Sequence, residues 1–401
     1  MSGIVIVGGG QAGAALAAKA RALDADVAIP LIGAEADLPY QRPPLSKGYL
    51  LGDMARERLY LRPSEFYDDN AITLRLGAPV AGIDTAARRS EVGGDGLGYD
   101  HLALTTGSVP VPLPAAIGGE LDGVFTVRTL ADIDRMEPNF QAGARVLIVG
   151  GGYIGLEAAA VAGKLGLKVP LVEMSERFLG RVASRETADI VRAVHVEHGV
   201  DIREGVGLER LVGEGRVTGA VLSDGTMLAL DFAVIGIGIR PDTRLAEAAG
   251  IACDYGIAVD AMGQTSEPGV WAAGDCASFD YRGRRLRLES VQNAIDQAEA
   301  VAANMLGADT GYVPKPWFWS DQYDMKLQIA GLNTGYDRVV QRGGARPCSL
   351  WYYAQDQLLA VDAVDAARDY MVGKRLIEAG KSPDPAVIAD PDTDLKALLK
   401  A

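Results

Sequence analysis

The chain has 401 residues, of which 48% are hydrophobic and 23% charged, so it can form two or three domains that each bury a core. Its net charge of −14 argues against nonspecific binding to nucleic acid or to an anionic membrane surface. The 3 cysteines include no CxxC pair and indicate a reducing compartment, so we expect a cytoplasmic protein. We predict neither a membrane span nor a metal site.

One pattern occurs twice, at residues 3–20 and 145–162. Each copy has a β-branched run, a GxGxxG loop and an alanine-rich stretch typical of a helix, and a second apolar strand that ends in an acid follows. The third glycine and the acid are 22 residues apart in the first copy and 18 in the second, near the roughly 20 of the dinucleotide-binding fingerprint. The glycines and acids are Gly8, Gly10, Gly13 and Glu35, then Gly150, Gly152, Gly155 and Glu173.

The spacing has a physical reason. The first glycine allows a tight turn, the second lets the backbone approach a pyrophosphate, and the third lets the helix pack closely on the strand. The helix N-terminus then presents unpaired N–H groups to the phosphates, and the acid accepts hydrogen bonds from a ribose. We therefore predict one dinucleotide site in each copy, against the alternative of a purely structural glycine loop.

Further motifs lie outside the two glycine loops: PYQRPPLSKGYL, GIGIRPDTRLAEAAGI, PGVWAAGDCASF, RLESVQNAIDQAEA and PWFWSDQYDMKLQIAGL. With them the chain resembles, nearly end to end, the bacterial FAD-containing, NADH-dependent ferredoxin reductases. The resemblance implies an α/β fold of the glutathione-reductase type, with two Rossmann-like dinucleotide-binding domains and a C-terminal α+β domain. An FAD domain at 1–107 and 237–314, an NADH domain at 108–236 and a C-terminal domain at 315–401 are expected.

The resemblance also implies site residues. Those expected to bind FAD are Gly8, Gly10, Gly13, Glu35, Arg42, Lys47, Thr106, Gly107, Asp275, Val291 and Trp319. Those expected to bind NADH are Gly150, Gly152, Ile154, Gly155, Glu173 and Gly238. Simpler interpretations stay open for two of them, because Asp275 can belong to an ordinary turn and Val291 to a packing helix.

Four residues are expected in the catalytic machinery: Lys47, Glu157, Tyr153 and Trp319. By resemblance Lys47 lies beside the flavin and pairs with Glu157, and a cation there favours reduced flavin. The alternative is an ion pair that only clamps two domains. Tyr153 either covers the flavin or is an ordinary packed tyrosine, and Trp317, unlike Trp319, is expected in the core.

The expected electron acceptor follows from the absence of cysteine in the loop that carries Lys47. None of the 3 cysteines lies in residues 1–252, so electrons must leave a flavin without a thiol. The resemblance implies a [2Fe–2S] ferredoxin that serves a cytochrome P-450-type monooxygenase or a ring-hydroxylating dioxygenase. A small-molecule reductase of the monodehydroascorbate reductase type is the alternative, and a signalling flavoprotein like the apoptosis-inducing ones ranks last. We expect a monomer or weak dimer.

The segment YRGRRLRLES is the densest candidate for docking an acidic partner. It carries Arg282, Arg284, Arg285 and Arg287, and we expect Arg284 or Arg285 at its turn to matter most. A solvated hairpin without a partner, or a face near Arg338, Arg342 and Arg346, are the alternatives.

Overall fold

The computed structural model describes residues 3–400, which form two compact units. The first comprises the stretch ending at Arg42, Ala55–Val109 and Ile239–Pro316. The second comprises Pro43–Met54, Pro110–Gly238 and the stretch from Trp317 onward. The loop that carries Lys47 therefore belongs to the second unit.

The elements of the first 110 residues are β1 Ile4–Val7, α1 Gln11–Leu23, β2 Ile29–Ile32, α2 Ser64–Asp69, β3 Ile72–Arg75, β4 Val80–Asp84, β5 Arg89–Val92, β6 Asp95–Gly98, β7 His101–Leu104 and β8 Ser108–Pro110. The next segment contains β9 Val124–Phe125, α3 Leu130–Met136, β10 Val146–Val149, α4 Tyr153–Lys164, β11 Pro170–Glu173, α5 Arg185–Glu197, β12 Asp201–Glu204, β13 Leu208–Val212, β14 Gly219–Leu222, β15 Met227–Ala229 and β16 Phe232–Ile235.

The chain continues with β17 Ile239–Pro241, α6 Arg244–Ala248, β18 Ile257–Ala258, β19 Val270–Ala272, β20 Ala277–Tyr281, β21 Arg284–Leu286 and α7 Val291–Met305. It ends with β22 Trp317–Gln322, β23 Met325–Gly331, β24 Arg338–Gly343, β25 Cys348–Ala354, β26 Gln357–Val364, α8 Ala367–Glu378 and α9 Pro385–Ala389. Single 3₁₀ turns interrupt the loops, among them Pro43–Ser46.

The first unit is built on a parallel sheet in the order β19-β7-β1-β2-β3. All four residues of β1 are buried, as the continuous apolar run predicts for a strand covered on both faces. Its core joins Ile4 and Ile6 of β1 to Leu16 of α1 and Val301 of α7. Because parallel strands share one carboxyl edge, the glycine loop after β1 opens at that edge.

The second unit contains a parallel sheet in the order β12-β11-β10-β16-β9 and an antiparallel sheet in the order β22-β23-β26-β25-β24. Buried Trp351 and Val361 of the antiparallel sheet pack with Val372 and Leu376 of α8. The predicted fold class, two Rossmann-like parallel sheets and a C-terminal α+β part, is confirmed.

No helix within residues 3–400 is both long and apolar enough to cross a membrane. The same range holds no group of three or more His, Cys, Asp and Glu side chains that could bind a metal ion.

Candidate functional site

The first glycine loop follows β1. A Cβ atom on Gly8 would lie 2.2 Å from the carbonyl oxygen of Thr105, and one on Gly13 would lie 2.0 Å from that of Gly8. Gly8 also has a φ of +120°, where a side chain is strained. A Cβ on Gly10 would meet no described atom within 4 Å. Packing therefore requires the first and third glycines, whereas the middle one faces open space that a ligand can fill.

The second loop repeats this arrangement. Cβ atoms on Gly150 and Gly155 would lie 2.3 Å from the oxygen of Gly236 and 2.2 Å from that of Gly150, respectively. A Cβ on Gly152 would again meet no described atom within 4 Å. Helices α1 and α4 begin directly after the two middle positions, with their first N–H groups at the loops. Both loops thus fit a dinucleotide pyrophosphate.

The two acids do not occupy equivalent positions. Glu173 ends β11 as predicted, but β2 ends at Ile32, three residues before Glu35. Val7 pairs with Ile32 and Val149 pairs with Val172, so the position equivalent to Glu173 in the first copy is occupied by Gly33. The two extra residues place Glu35 beyond the strand, where its carboxylate binds Arg42 Nη2 at 2.6 Å and the Tyr40 hydroxyl at 2.5 Å.

Glu173 is fixed at the second glycine loop. Its Oε2 accepts a hydrogen bond from the Gly151 N–H at 2.8 Å, and its Oε1 accepts one from the Ser175 N–H at 2.8 Å. The nearby cation Arg177 donates to the carbonyl oxygens of Gly180, Ala183 and Ser184, so its guanidinium serves the backbone.

If Glu173 contacts the adenosine ribose as predicted, we expect roughly a hundredfold higher kcat/KM with NADH than with NADPH. A carboxylate there would repel a 2′-phosphate, and Arg177 donates to backbone carbonyl oxygens instead. Steady-state rates with both nucleotides provide the measurement. Glu173→Ser should lower the ratio of kcat/KM between NADH and NADPH. Glu176→Gln changes an exposed acid three residues away and should leave this ratio unchanged. Equal values in the wild-type protein would contradict the expectation.

Lys47 directly follows the 3₁₀ turn Pro43–Ser46 and forms an ion pair. Its Nζ is 2.8 Å from Glu157 Oε1 and donates to the Pro43 carbonyl oxygen at 3.3 Å. Glu157, on α4, is only 2% exposed. The Ser46 hydroxyl donates to Glu157 Oε2 at 2.8 Å, and the Ser320 hydroxyl donates to Oε1 at 2.7 Å. Neither serine was predicted, because each reaches Glu157 from a segment distant in sequence.

Tyr153 begins α4 and packs on Phe318 of β22, with ring centroids 4.9 Å apart. Its hydroxyl is buried without a hydrogen-bond partner among the described residues, and burial raises the pKa of Tyr153 well above its usual value. Phe318 was not predicted.

Strand alternation in β22 places Trp319 on the face opposite Phe318 and Ser320. Trp319 lies beside Trp317, with ring centroids 5.6 Å apart, and Trp317 packs on the core cluster of Ala330, Ala363 and Tyr370. The structure therefore brings Tyr153 and Glu157 to one face of β22 and turns Trp319 toward the other.

The predicted residues of the first unit surround the carboxyl edge of its parallel sheet. Asp275 Oδ2 accepts a hydrogen bond from the Ser108 hydroxyl at 2.9 Å. Thr106 donates to the Asp242 carbonyl oxygen at 2.6 Å, whereas Thr105 donates to the Gly8 carbonyl oxygen at 2.9 Å. Thr105 and Ser108, the neighbours of the predicted Thr106 and Gly107, are thus the residues that contact the glycine loop and Asp275.

Three further predicted positions are placed as follows. Val291 is the first residue of α7, which the Ser290 hydroxyl caps by accepting from the Asn293 N–H at 3.2 Å. Ile154, in the first turn of α4, is 44% exposed. Gly238 has a φ of +118°, and its carbonyl oxygen accepts a hydrogen bond from the Val111 N–H at 3.0 Å.

Two buried titratable groups lie elsewhere in the second unit. His195 is fully buried, and its Nε2 lies 2.7 Å from Gln322 Oε1. Burial lowers the pKa of His195 from 6.5 to about 4, with neighbouring His198 contributing in the same direction. Asp362 is 1% exposed and accepts hydrogen bonds from Thr187 Oγ1 at 2.8 Å and from the Tyr352 hydroxyl. Burial raises the pKa of Asp362 from 3.8 to about 6.

These groups should act on stability in opposite directions. Between pH 6.5 and 4, His195 is protonated in the unfolded chain but neutral in the folded chain. This histidine therefore lowers the free energy of unfolding as the pH falls. Between pH 6 and 3.8, Asp362 is protonated in the folded chain but ionised in the unfolded chain. This acid therefore raises the free energy of unfolding as the pH falls. Each shift corresponds to at most about 3 kcal/mol.

We therefore expect His195→Gln to gain up to about 3 kcal/mol relative to the wild type as the pH is lowered from 7 to 4. Asp362→Asn should lose stability relative to the wild type over the same range. Unfolding midpoints in urea at several pH values measure both differences. A difference that stays constant with pH would contradict the assignment for that residue.

The three cysteines are not activated for thiol chemistry, and none belongs to the loop that carries Lys47. All three thiols, Cys253, Cys276 and Cys348, are free. Burial raises the pKa of each of them, which disfavours the reactive thiolate.

Comparisons with known proteins cover nearly the whole chain. The sequence model of the pyridine nucleotide-disulphide oxidoreductases matches residues 2–298, and that of a reductase C-terminal domain matches residues 317–399. The chain is 42% identical to the 5,5'-dehydrodivanillate O-demethylase ferredoxin reductase subunit of Sphingobium sp. over 99% of this chain and 98% of the relative.

Two more relatives extend the comparison. The chain is 40% identical to the ferredoxin–NAD(+) reductase component of the anthranilate 1,2-dioxygenase system of Burkholderia cepacia, over 98% of both chains. The structure is similar to the reductase in the crystal structure of the covalent putidaredoxin reductase–putidaredoxin complex, with a TM-score of 0.95 and 38% identity over 99% of this chain and 98% of that one.

Proposed function

Because this chain belongs to the ferredoxin reductases of the pyridine nucleotide-disulphide oxidoreductase family, we propose that it carries electrons from NADH to a [2Fe–2S] ferredoxin. The chain is an FAD-dependent, NAD(H)-using oxidoreductase. Relatives named for an O-demethylase and a dioxygenase support a ferredoxin that serves an oxygenase, either a cytochrome P-450-type monooxygenase or a ring-hydroxylating dioxygenase.

The observation that carries this proposal is the Lys47–Glu157 pair on a loop without cysteine. Bound FAD would supply the redox chemistry, namely acceptance of a hydride from NADH and transfer of single electrons to a one-electron acceptor. The first glycine loop, with Glu35, Arg42, Thr106, Gly107, Asp275 and Val291, would hold FAD. The second, with Ile154, Glu173 and Gly238, would hold NADH.

The chain's own catalytic contribution is electrostatic and steric. Glu157 and the Pro43 carbonyl oxygen hold the Lys47 ammonium in one place, and a fixed cation would stabilise negative charge that develops on a bound ring. The ammonium has three hydrogens, and Glu157 and Pro43 take two, which leaves one for a ligand. Tyr153, on the same face of β22 as Glu157, would cover the ring and exclude water. Trp319, on the opposite face of that strand, stays a proposed contact of FAD.

The test is NADH-dependent reduction of cytochrome c by the purified holoenzyme, with and without a [2Fe–2S] ferredoxin. We expect reduction to depend on the ferredoxin. A protein that reduces monodehydroascorbate rapidly and gains nothing from any ferredoxin would instead be a small-molecule reductase of that type.

The β20–β21 hairpin is the proposed docking surface, and its geometry corrects the expectation for its arginines. The turn lies at Arg282–Gly283, before Arg284. Arg285 is held by Asp254 at 3.3 Å and by the Ser278 carbonyl oxygen at 2.8 Å. Arg287 has a side chain only 5% exposed and pairs with Glu289 at 2.9 Å. Exposed Arg282 and Arg284 are therefore the better candidates.

Reversing Arg282 and Arg284 to glutamate should raise the KM for an acidic ferredoxin about tenfold at low salt and flatten its salt dependence, because rim charges govern encounter. Reduction of ferricyanide by NADH should not change. Arg338→Glu, on β24, tests the alternative docking face near Arg338, Arg342 and Arg346. If Arg338→Glu has the larger effect, the docking face includes the C-terminal sheet and not the hairpin.

We propose an FAD domain formed by 1–107 and 237–314, an NADH domain formed by 108–236 and a C-terminal domain formed by 315–401. A cytoplasmic location is proposed from the three free thiols, and a monomer or weak dimer from the resemblance alone.

A further inference from the structure

A continuous line of hydrogen-bonded side chains connects His195 to Lys47 in the second unit. His195 Nε2 lies 2.7 Å from Gln322 Oε1, and Gln322 Nε2 lies 3.0 Å from Ser320 Oγ. Ser320 Oγ lies 2.7 Å from Glu157 Oε1, which lies 2.8 Å from Lys47 Nζ. The first four side chains are between 0% and 2% exposed, so water does not compete for these contacts.

The direction of every hydrogen bond in this line follows from its chemistry. A carboxylate only accepts, so the Ser320 hydroxyl donates its single proton to Glu157. The same hydroxyl must then accept from Gln322, which requires the amide nitrogen on that side and the amide oxygen toward His195. An amide oxygen only accepts, so His195 donates from Nε2. Burial lowers the pKa of His195 to about 4, which favours the neutral ring near pH 7.

The line exists because three elements meet at one face of β22. Phe318, Ser320 and Gln322 alternate with residues that point away, and each contacts one helix residue: Tyr153 and Glu157 of α4, and His195 of α5. Asp321, between the two polar residues, is exposed on the other face.

We infer that Ser320 and Gln322 are positioning residues for Glu157 and, through it, for Lys47. A lysine side chain has four rotatable bonds, so an ion pair fixes its ammonium only if the partner carboxylate is itself fixed. Ser320 supplies one of the three side-chain donors to Glu157, beside Ser46 and Lys47. Gln322 orients the serine proton by occupying the acceptor side of the hydroxyl. The inference rests on the proposed role of Lys47 at the flavin.

The experiment is a double-mutant cycle on the holoenzyme. Ser320→Ala, Ser320→Thr, Gln322→Met and the control Asp321→Asn are made in the wild-type and Lys47→Met backgrounds. Two readouts are taken: the rate constant of flavin reduction by NADH in stopped flow, and the position of the flavin redox equilibrium against a reference dye. The second readout does not depend on turnover.

In the wild-type background Ser320→Ala should slow flavin reduction about tenfold, as expected for one hydrogen bond to a charged group. It should shift the dye equilibrium in the same direction as Lys47→Met does. Gln322→Met should have a smaller effect, about threefold, because it acts one contact further away. Ser320→Thr and Asp321→Asn should behave like the wild type. In the Lys47→Met background, Ser320→Ala should cause no further change in the rate of flavin reduction or in the dye equilibrium.

The outcomes separate the two hypotheses. If Lys47→Met changes neither readout, the proposed role of Lys47 is wrong, whatever Ser320 does. If Lys47→Met changes both but Ser320→Ala matches Asp321→Asn, the positioning role is overturned. An equal effect of Ser320→Ala in both backgrounds overturns it too, since the serine would then act by another route. If Ser320→Ala does not retain FAD, Gln322→Met replaces it, because this change leaves all contacts to Glu157 in place. The positioning role is then overturned if Gln322→Met matches Asp321→Asn or has an equal effect in both backgrounds.

Discussion

Lys47→Met should slow flavin reduction by NADH about a hundredfold and lower the flavin reduction potential, while FAD stays bound. The change removes a positive charge that Glu157 and Pro43 hold in one place, and losing one preorganised electrostatic contact typically costs this much in rate. Stopped-flow reduction and a potentiometric titration of the flavin are the measurements. An unchanged rate and potential would leave Lys47 a purely structural role.

A matched double variant separates the electrostatic effect from loss of folding stability. Lys47→Met alone leaves the Glu157 carboxylate, which is 2% exposed, without its counter-charge, and such a change costs about 3–5 kcal/mol. Lys47→Met/Glu157→Gln removes both charges and should recover most of that stability. It should not recover the rate, because the cation is still missing. Recovery of the rate would mean that stability alone limited the single variant.

Gly10→Val should yield a folded protein that does not bind FAD, whereas Gly152→Val should keep FAD and raise the KM for NADH about a hundredfold. Neither new Cβ would meet a described atom within 4 Å, and both residues have φ values that other amino acids adopt, −91° and −80°. The side chains would occupy only the space assigned to the pyrophosphate groups. Flavin absorbance after gel filtration and steady-state kinetics measure the two effects.

The control for both variants is Gly344→Val, at an exposed glycine outside the two loops whose Cβ would likewise meet no described atom within 4 Å. It should keep both FAD content and the KM for NADH. If Gly152→Val loses FAD and Gly10→Val raises the KM for NADH, the assignment of the two loops must be exchanged.

The sequence predicts most strongly what depends on local order along the chain. The two strand–loop–helix units follow from runs of adjacent residues. The position of Glu35 does not, because two extra residues before it move the acid beyond β2, and spacing alone cannot distinguish a longer loop from a longer strand.

Contacts between distant segments were harder to predict. Ser320 and Phe318 reach Glu157 and Tyr153 only because β22 presents its even-numbered residues to α4. The opposite choice of face would have placed Trp319 there, and the aromatic run WFW fits both faces equally well. Likewise, Thr105 and Thr106 are adjacent and chemically alike, and the pairing of β7 with β1 decides which one contacts Gly8.

Glu173 has a consequence for protein engineering. Its two carboxylate oxygens accept hydrogen bonds from the N–H groups of Gly151 and Ser175, so the acid expected to select the nucleotide also braces the loop predicted to bind it. A carboxylate has about four acceptor sites, enough for two backbone amides and a ribose diol together. A shorter or neutral residue in place of Glu173 that admits the 2′-phosphate of NADPH would also weaken the hydrogen bonds that hold the loop at Gly151 and Ser175. Redesign toward NADPH therefore needs a new brace for Gly151 together with a new cation.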